Sequence, residues 1–322
     1  MPMDIVAVGE PLVQLNAVTR GPLRHVQYFE KHSTGSEANV CVAAARLGMR
    51  SGLITRLGND EFGLFIRDWL RGEGVDVSRV VMDGEHPTGI YFVQRGYPVP
   101  GVSDVVYYRH GSAASFLSEE DVDRDYVRES RVLHTTGITL AISESARSAA
   151  MLAMDEARRA GALVSLDLNI RRKLWRNMDE AVDVVGKAMA KAGVVFMDEE
   201  EASMILGAEG VDAAFREAER RFGLTKVVLK LGRRGSVARW DGEEERVNAF
   251  EVPVEDPIGA GDAYVGVFLS SMLKGMGLRK SMVRASAAAA MVVTVRGDEE
   301  NLPREGDIDV FLRGFGGDVD LR

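Results

Sequence analysis

Asp256-Pro257-Ile258-Gly259-Ala260-Gly261-Asp262-Ala263 is the stretch on which the reading of this chain turns. Pro257 stops the extended segment before it, because proline has no N–H to give to a strand ladder. Gly259, Ala260 and Gly261 form a small-residue turn that opens a helix over residues 263–273. The first N–H groups of a helix have no partner within it, and the helix dipole adds positive potential there. Small side chains let a phosphate approach that backbone closely. Asp262 stands at the same helix start. On the residues alone two readings stay equally open. Asp262 is a general base that removes a hydroxyl proton while the turn holds developing charge, or it simply caps its helix.

Short β-branched runs alternate with helical patterns on either side of this segment. Residues 4–8, 52–57, 132–136, 164–168, 194–197 and 227–231 read as strands, and 38–47, 61–71, 144–160, 263–273 and 281–294 as helices. That alternation predicts an α/β fold with a mainly parallel sheet covered by helices. Two segments break the rhythm. Residues 12–32 are rich in polar and aromatic side chains. Ile90-Tyr91-Phe92-Val93 and Val105-Val106-Tyr107-Tyr108 read as antiparallel strands joined by a loop with Pro98, Pro100 and Gly101. Together they suggest a small β-rich lid, the plainer alternative being an irregular edge of the main sheet.

The chain has 322 residues, with 40 Lys and Arg against 49 Asp and Glu, a net charge of −9. Its 46% hydrophobic and 28% charged residues suit a globular protein with a large core, as two domains of roughly 150 residues or one large α/β domain. The acidic balance argues against nucleic acid as a partner. No apolar run nears the ~18 residues of a membrane span, and Asp4 in the first apolar stretch with no basic leader argues against a signal peptide, so a cytoplasmic protein is expected. The single Cys41 reads as a small buried apolar residue rather than a reactive thiol. Walker, dinucleotide-fingerprint and Gly-x-Ser-x-Gly patterns are missing, and the five histidines are scattered.

The segment from Asp256 to Ala263 resembles the C-terminal signature of the ribokinase-like, PfkB-type carbohydrate kinases. Gly35-Ser36-Glu37-Ala38-Asn39, followed by Ala43-Ala44-Ala45-Arg46-Leu47-Gly48, resembles the family's N-terminal signature. Leu57-Gly58-Asn59-Asp60-Glu61-Phe62-Gly63, Asp198-Glu199-Glu200-Glu201 and Lys230-Leu231-Gly232-Arg233-Arg234-Gly235 resemble three further shared stretches, so the likeness runs over about residues 4–313. Three positions depart from the pattern. Thr34 replaces the first glycine of the usual pair, Val267 stands where a small residue is usual, and Asp198 replaces Asn. Within the family the likeness is to archaeal-type 2-keto-3-deoxygluconate kinases, carried by Gly9-Glu10-Pro11-Leu12-Val13-Gln14, Thr88-Gly89-Ile90-Tyr91-Phe92, Tyr107-Tyr108-Arg109-His110-Gly111 and Asn169-Ile170-Arg171-Arg172-Lys173-Leu174-Trp175, among others.

The resemblance implies a three-layer α/β/α body over 1–12, 33–87 and 112–314 and a β lid at 13–32 and 88–111, and the polar, Gly-rich end of the chain predicts a frayed tail at 315–322. It implies ATP and magnesium as cofactors, a sugar acid as substrate, and a homo-oligomer built through the lid strands. Asp262 would deprotonate the 6-hydroxyl of the substrate, with Gly259, Ala260, Gly261 and Arg171 steadying the transferring phosphoryl group. Gly35, Asn39 and Asp298 would meet substrate hydroxyls, and Tyr91, Tyr107, Arg109 and Arg171 would line the carboxylate end. Asn169, Arg171, Lys230, Gly232, Arg233, Gly235, Gly259 and Gly261 would serve the nucleotide. Asp198 and Glu201 would act through water on magnesium.

Charge supports the acid substrate independently. Neutral-sugar members usually carry Asp where this chain has Gln14, and an acid there would repel a substrate carboxylate. Two arginines converging on one pocket would favour an anion with bidentate geometry. The plainer readings are surface salt bridges for the arginines, strand aromatics for the tyrosines, a helix-stop turn at Asp298 and a solvated helix start at residues 198–201. The alternative activities are a neutral-sugar or nucleoside kinase of fructokinase or ribokinase type, and a binding regulator without turnover.

Overall fold

The computed structural model describes residues 2–99 and 102–315. Pro100 and Gly101 of the expected joining loop, and residues 316–322 of the expected frayed tail, lie outside the described residues. The strands, in chain order, are β1 Ile5–Val8, β2 Leu12–Ala17, β3 Phe29–Thr34, β4 Ser51–Gly58, β5 Val80–Asp83, β6 Ile90–Arg95, β7 Ser103–Tyr108, β8 Val132–Thr136, β9 Leu163–Asp167, β10 Val194–Asp198, β11 Lys226–Lys230, β12 Ser236–Trp240 and β13 Glu243–Val247.

Nine of these strands form one sheet in the order β13-β12-β11-β10-β9-β8-β1-β4-β5. From β11 to β5 every pairing is parallel, while the β11–β12 and β12–β13 pairings are antiparallel, so β12 runs against the rest. The strand sequences explain why helices cover both faces. Val6 and Val8, Val195 and Met197, and Val227 and Leu229 point to one side, against the helices Glu144–Arg159, Met178–Met189 and Val211–Phe222. The alternate residues Ile5, Val194, Phe196 and Val228 point to the other, against Ser36–Arg46, Ala260–Leu273 and Leu278–Val292. A strand apolar at every position is one buried on both faces, and the result is the expected three-layer arrangement.

The remaining four strands form a separate sheet in the order β3-β2-β6-β7. The sequence predicts its antiparallel β6–β7 pair, and the structure sets Tyr91 opposite Tyr107. It does not predict that β2 lies beside β6 in parallel, with Gln14 opposite Tyr91. The irregular-edge alternative is not what forms, since this sheet shares no ladder with the large one.

Strand order reverses at β1, whose neighbours are β4 on one side and β8 on the other. In open parallel sheets the crevice at such a switch point, outside the carboxyl ends of the strands, is where ligands bind. Those ends carry a row of polar residues here. Thr136 is in register with Asp167, and Asp198 with Lys230.

Candidate active site

A cleft of about 780 Å³ opens over these strand ends. Asp167, Asp198 and Lys230 line its floor, the turn from Pro257 to Asp262 one wall, and Leu12, Tyr91, Tyr107 and Arg109 of the small sheet and its flank another.

Gly259 is the residue before the helix Ala260–Leu273 and has φ +82°, a left-handed conformation that suits glycine. A Cβ there would also run into the carboxylate of Asp298. No side chain among the described residues caps this helix. Asp262 therefore does not cap it, and the carboxylate is held from elsewhere: Ser36 Oγ donates to Oδ1 at 2.6 Å and Asn39 Nδ2 to Oδ2 at 2.8 Å. Asn169 Nδ2 donates in turn to Ser36 Oγ at 2.9 Å. Asn169 takes φ +39°, a conformation asparagine tolerates better than most residues. Burial raises the pKa of Asp262, and the charge of Asp167 adds to that. The hydrogen bonds from Ser36 and Asn39 and the charge of Lys230 pull it back.

Asn39 also donates to Asp298 Oδ1 at 2.9 Å, so one amide ties the two carboxylates together. Its Nδ2 is spent on this, and Asn39 stands behind Asp262 rather than on the cleft wall where the sequence puts it. Thr34, the departure from the usual glycine, donates to Asp298 Oδ2 and lies 3.2 Å from the Tyr91 hydroxyl. Burial, and then the charge of Asp262, push the Asp298 carboxyl well above the usual carboxylate range. Gln14 does not face the cleft either. It is fully buried behind Tyr91, and its Nε2 donates to the Tyr91 hydroxyl at 2.7 Å.

The two arginines differ. Arg171 is exposed on the cleft and has no ion-pair partner among the described residues. Arg109 is buried, and its Nη2 is paired with Glu10, a residue the sequence did not single out. Lys230 likewise reaches Asp167, at 2.7 and 2.8 Å. Burial disfavours its charge, but Asp167 and Glu201 outweigh that and raise its pKa.

Gly35, Asn169, Gly232, Gly259 and Gly261 line the cleft, but Ala260, Arg233 and Gly235 do not. Gly235, at φ +87°, instead closes the turn into β12, donating its N–H to Gly232 O and accepting from Leu231 N–H. Asp198 and Glu201 line the cleft and also form a complete capping box: each backbone N–H donates to the other carboxylate at 2.8 Å. The second oxygen of Glu201 accepts the Ile170 N–H at 2.7 Å, and burial lifts its pKa to about 7. No group of three or more His, Cys, Asp or Glu side chains suited to a metal occurs among the described residues.

A glycine turn at an uncapped helix start, a carboxylate beside it and a crevice at the strand ends together define a phosphoryl-transfer scaffold. The chain belongs to the pfkB family of carbohydrate kinases, whose model matches residues 3–305. It is 46% identical over 317 residues to the 2-dehydro-3-deoxygluconokinase of Thermoproteus tenax, covering 97% of this chain and 95% of that one. It is 33% identical over 317 residues to the enzyme of the same name from Bacillus subtilis strain 168, covering 97% and 96%. Among solved structures it superposes on a putative ribokinase II from E. coli in complex with ATP and Mg2+, with a TM-score of 0.89, 25% identity, and 97% and 99% of the two chains covered.

Proposed function

We propose that this chain phosphorylates the 6-hydroxyl of 2-keto-3-deoxygluconate at the expense of ATP. The observation that carries the reading is the juxtaposition in one cleft of Asp262, held by Ser36 and Asn39 instead of by its own helix, with Arg109 and Arg171. The named relatives at 46% and 33% identity support the substrate class. In this reading Asp262 takes the hydroxyl proton, and the oxygen attacks the γ-phosphoryl group of ATP. The N–H groups of the turn from Gly259 to Gly261, with Arg171, hold the charge on the transferred group. Lys230, Gly232 and Asn169 serve the nucleotide side.

The donor set fits magnesium only indirectly. Asp198 and Glu201 are on the cleft, but their carboxylates already accept backbone N–H groups, so the ion would meet them through water. When bound, it supplies charge neutralisation at the nucleotide phosphates.

The small sheet would close over the cleft as a lid and pair with a second copy. Tyr28, just before β3, and Tyr108, at the end of β7, are 72% and 63% exposed, and such pairing would cover them. A monomeric mass by light scattering would remove the oligomer. No helix among the described residues is long and apolar enough to cross a membrane. The ATP requirement is the argument for the cytoplasm.

The test is a coupled ATP-consumption assay with magnesium and a panel of 2-keto-3-deoxygluconate, its galactonate epimer, gluconate, fructose, ribose and adenosine. Turnover confined to the keto acids is expected. Preferred turnover of fructose, ribose or adenosine would replace the reading with a neutral-sugar or nucleoside kinase, and tight binding without ATP consumption would replace it with a regulator. Arg109→Ala is expected to weaken the acid by roughly 2–5 kcal/mol, the scale of a stripped buried charge partner.

A further inference from the structure

Arg109 reaches the cleft already paired, and its partner is as deeply placed as it is. The side chains of Arg109 and Glu10 are 7% and 1% exposed. Glu10 is held on its other oxygen by Ser112 Oγ at 2.5 Å. The guanidinium also lies over the Tyr107 ring, 5.5 Å from its centroid. Gly89 closes the pair on the side of Glu10, since a Cβ there would come within 2.8 Å of Glu10 Oε1 and 2.5 Å of Leu12 Cδ2. Yet the guanidinium is not used up. Nη2 meets Glu10, while Nε is buried without a partner among the described residues. Nε is sealed from the cleft, but Nη1 has no hydrogen-bond partner among the described residues either, and Arg109 lines the cleft, so Nη1 is the edge of the fork left to donate to a ligand.

We propose that Glu10 is a positioning residue that sets substrate specificity by acting through Arg109. It fixes the fork so that the remaining N–H groups face an incoming carboxylate. It also cancels the arginine's charge, so that orientation rather than bulk positive potential selects the ligand. A simple anion drawn by charge alone gains little from such a site. A carboxylate presented at the right angle by a seated sugar chain gains directed hydrogen bonds. This inference rests on the sugar-acid kinase reading.

The test is a double-mutant cycle on the full chain: wild type, Glu10→Gln, Arg109→Ala and the double variant, each assayed for the KM of the keto acid, the KM of ATP, and kcat. Glu10→Gln is expected to raise the acid KM by roughly tenfold and leave kcat and the ATP KM within about threefold. In the Arg109→Ala background the sign reverses, because Glu10 is then a lone carboxylate that repels the substrate's own, and its removal lowers KM. A KM increase of equal size in both backgrounds would reduce Glu10 to a structural part. No change, or a fall, in the wild-type background would leave it a mere counter-charge. Either result overturns the proposal. Should Glu10→Gln fail to fold, Ser112→Ala loosens the same carboxylate and is expected to raise the acid KM by about threefold, an unchanged KM overturning the idea. Wild-type inactivity on both keto acids would instead bring down the substrate reading itself, so the two failures are separable.

Discussion

Two helix starts face the same cleft, and each carries a carboxylate in its first turn. At the start of the helix Glu199–Leu206, Asp198 is the N-cap and spends Oδ1 on the Glu201 N–H of its own helix. At the start of Ala260–Leu273, Asp262 sits three residues beyond the N-cap Gly259 and leaves its own helix uncapped. Its oxygens are taken by Ser36 and Asn39, 226 and 223 residues away in sequence. The difference teaches where a carboxylate's function comes from. One that satisfies local N–H groups is committed to stability, and those N–H groups are closed to a ligand. One held by distant side chains keeps its helix start free for an anion and remains placed to accept a proton.

The largest expected effect would break the comparison outright. Asp262→Asn keeps the size and one acceptor, so the protein should melt as the wild type does, while kcat falls at least ~100-fold, the scale of a general base. Near-normal turnover would make the two helix starts equivalent after all. A smaller effect sharpens the role of the distant donors. The Ser36 and Asn39 hydrogen bonds lower the pKa of Asp262 against the upward push of burial. In the proposed role Asp262 works deprotonated, so kcat should fall as pH drops through a pKa above the ordinary carboxylate value of 3.8. Ser36→Ala removes a downward influence, so the acid limb should move to higher pH, with kcat near neutrality reduced by about tenfold or less. A limb that stays fixed, or moves down, would show that Ser36 does not act on the Asp262 proton.

Most of the architecture was legible because buried parallel strands announce themselves. The run Val132–Thr136 is as expected to the residue, and Val194–Asp198 and Lys226–Lys230 differ by a position or so. The hairpin β12–β13 was not legible, since Glu243-Glu244-Glu245-Arg246-Val247 is mostly charged and half-exposed at the sheet edge, with no apolar periodicity to read. The helix after Gly259 begins at Ala260 rather than Ala263, because the left-handed glycine itself ends the turn. At the site the motif residues Gly259, Gly261 and Asp262 were legible as a local string. Ser36, Glu10 and Asp167 were not singled out for their roles, because each matters through a partner 226, 99 or 63 residues away. Gln14 was singled out for its chemistry but acts from behind Tyr91, and strand order alone gave no sign of that.

The smallest effect tests the other side of the comparison. Asp198→Ala removes the N-cap oxygen from the Glu201 N–H and leaves the box half-made, so stability should fall by about 1 kcal/mol, read as a lower denaturant midpoint at unchanged slope. Glu201 should then be the residue that suffers. Its carboxylate still accepts the Ile170 N–H, but its own N–H has lost the partner that fixed the helix start. If Asp198 also reaches magnesium through water, the variant will need more magnesium for half-maximal turnover, by roughly threefold, with kcat at saturating magnesium little changed. If capping is its whole role, the magnesium dependence will overlay that of the wild type and only the midpoint will move. Either outcome leaves Asp198 unlike Asp262, but a loss of kcat at saturating magnesium as large as that of Asp262→Asn would erase the distinction between the two helix starts.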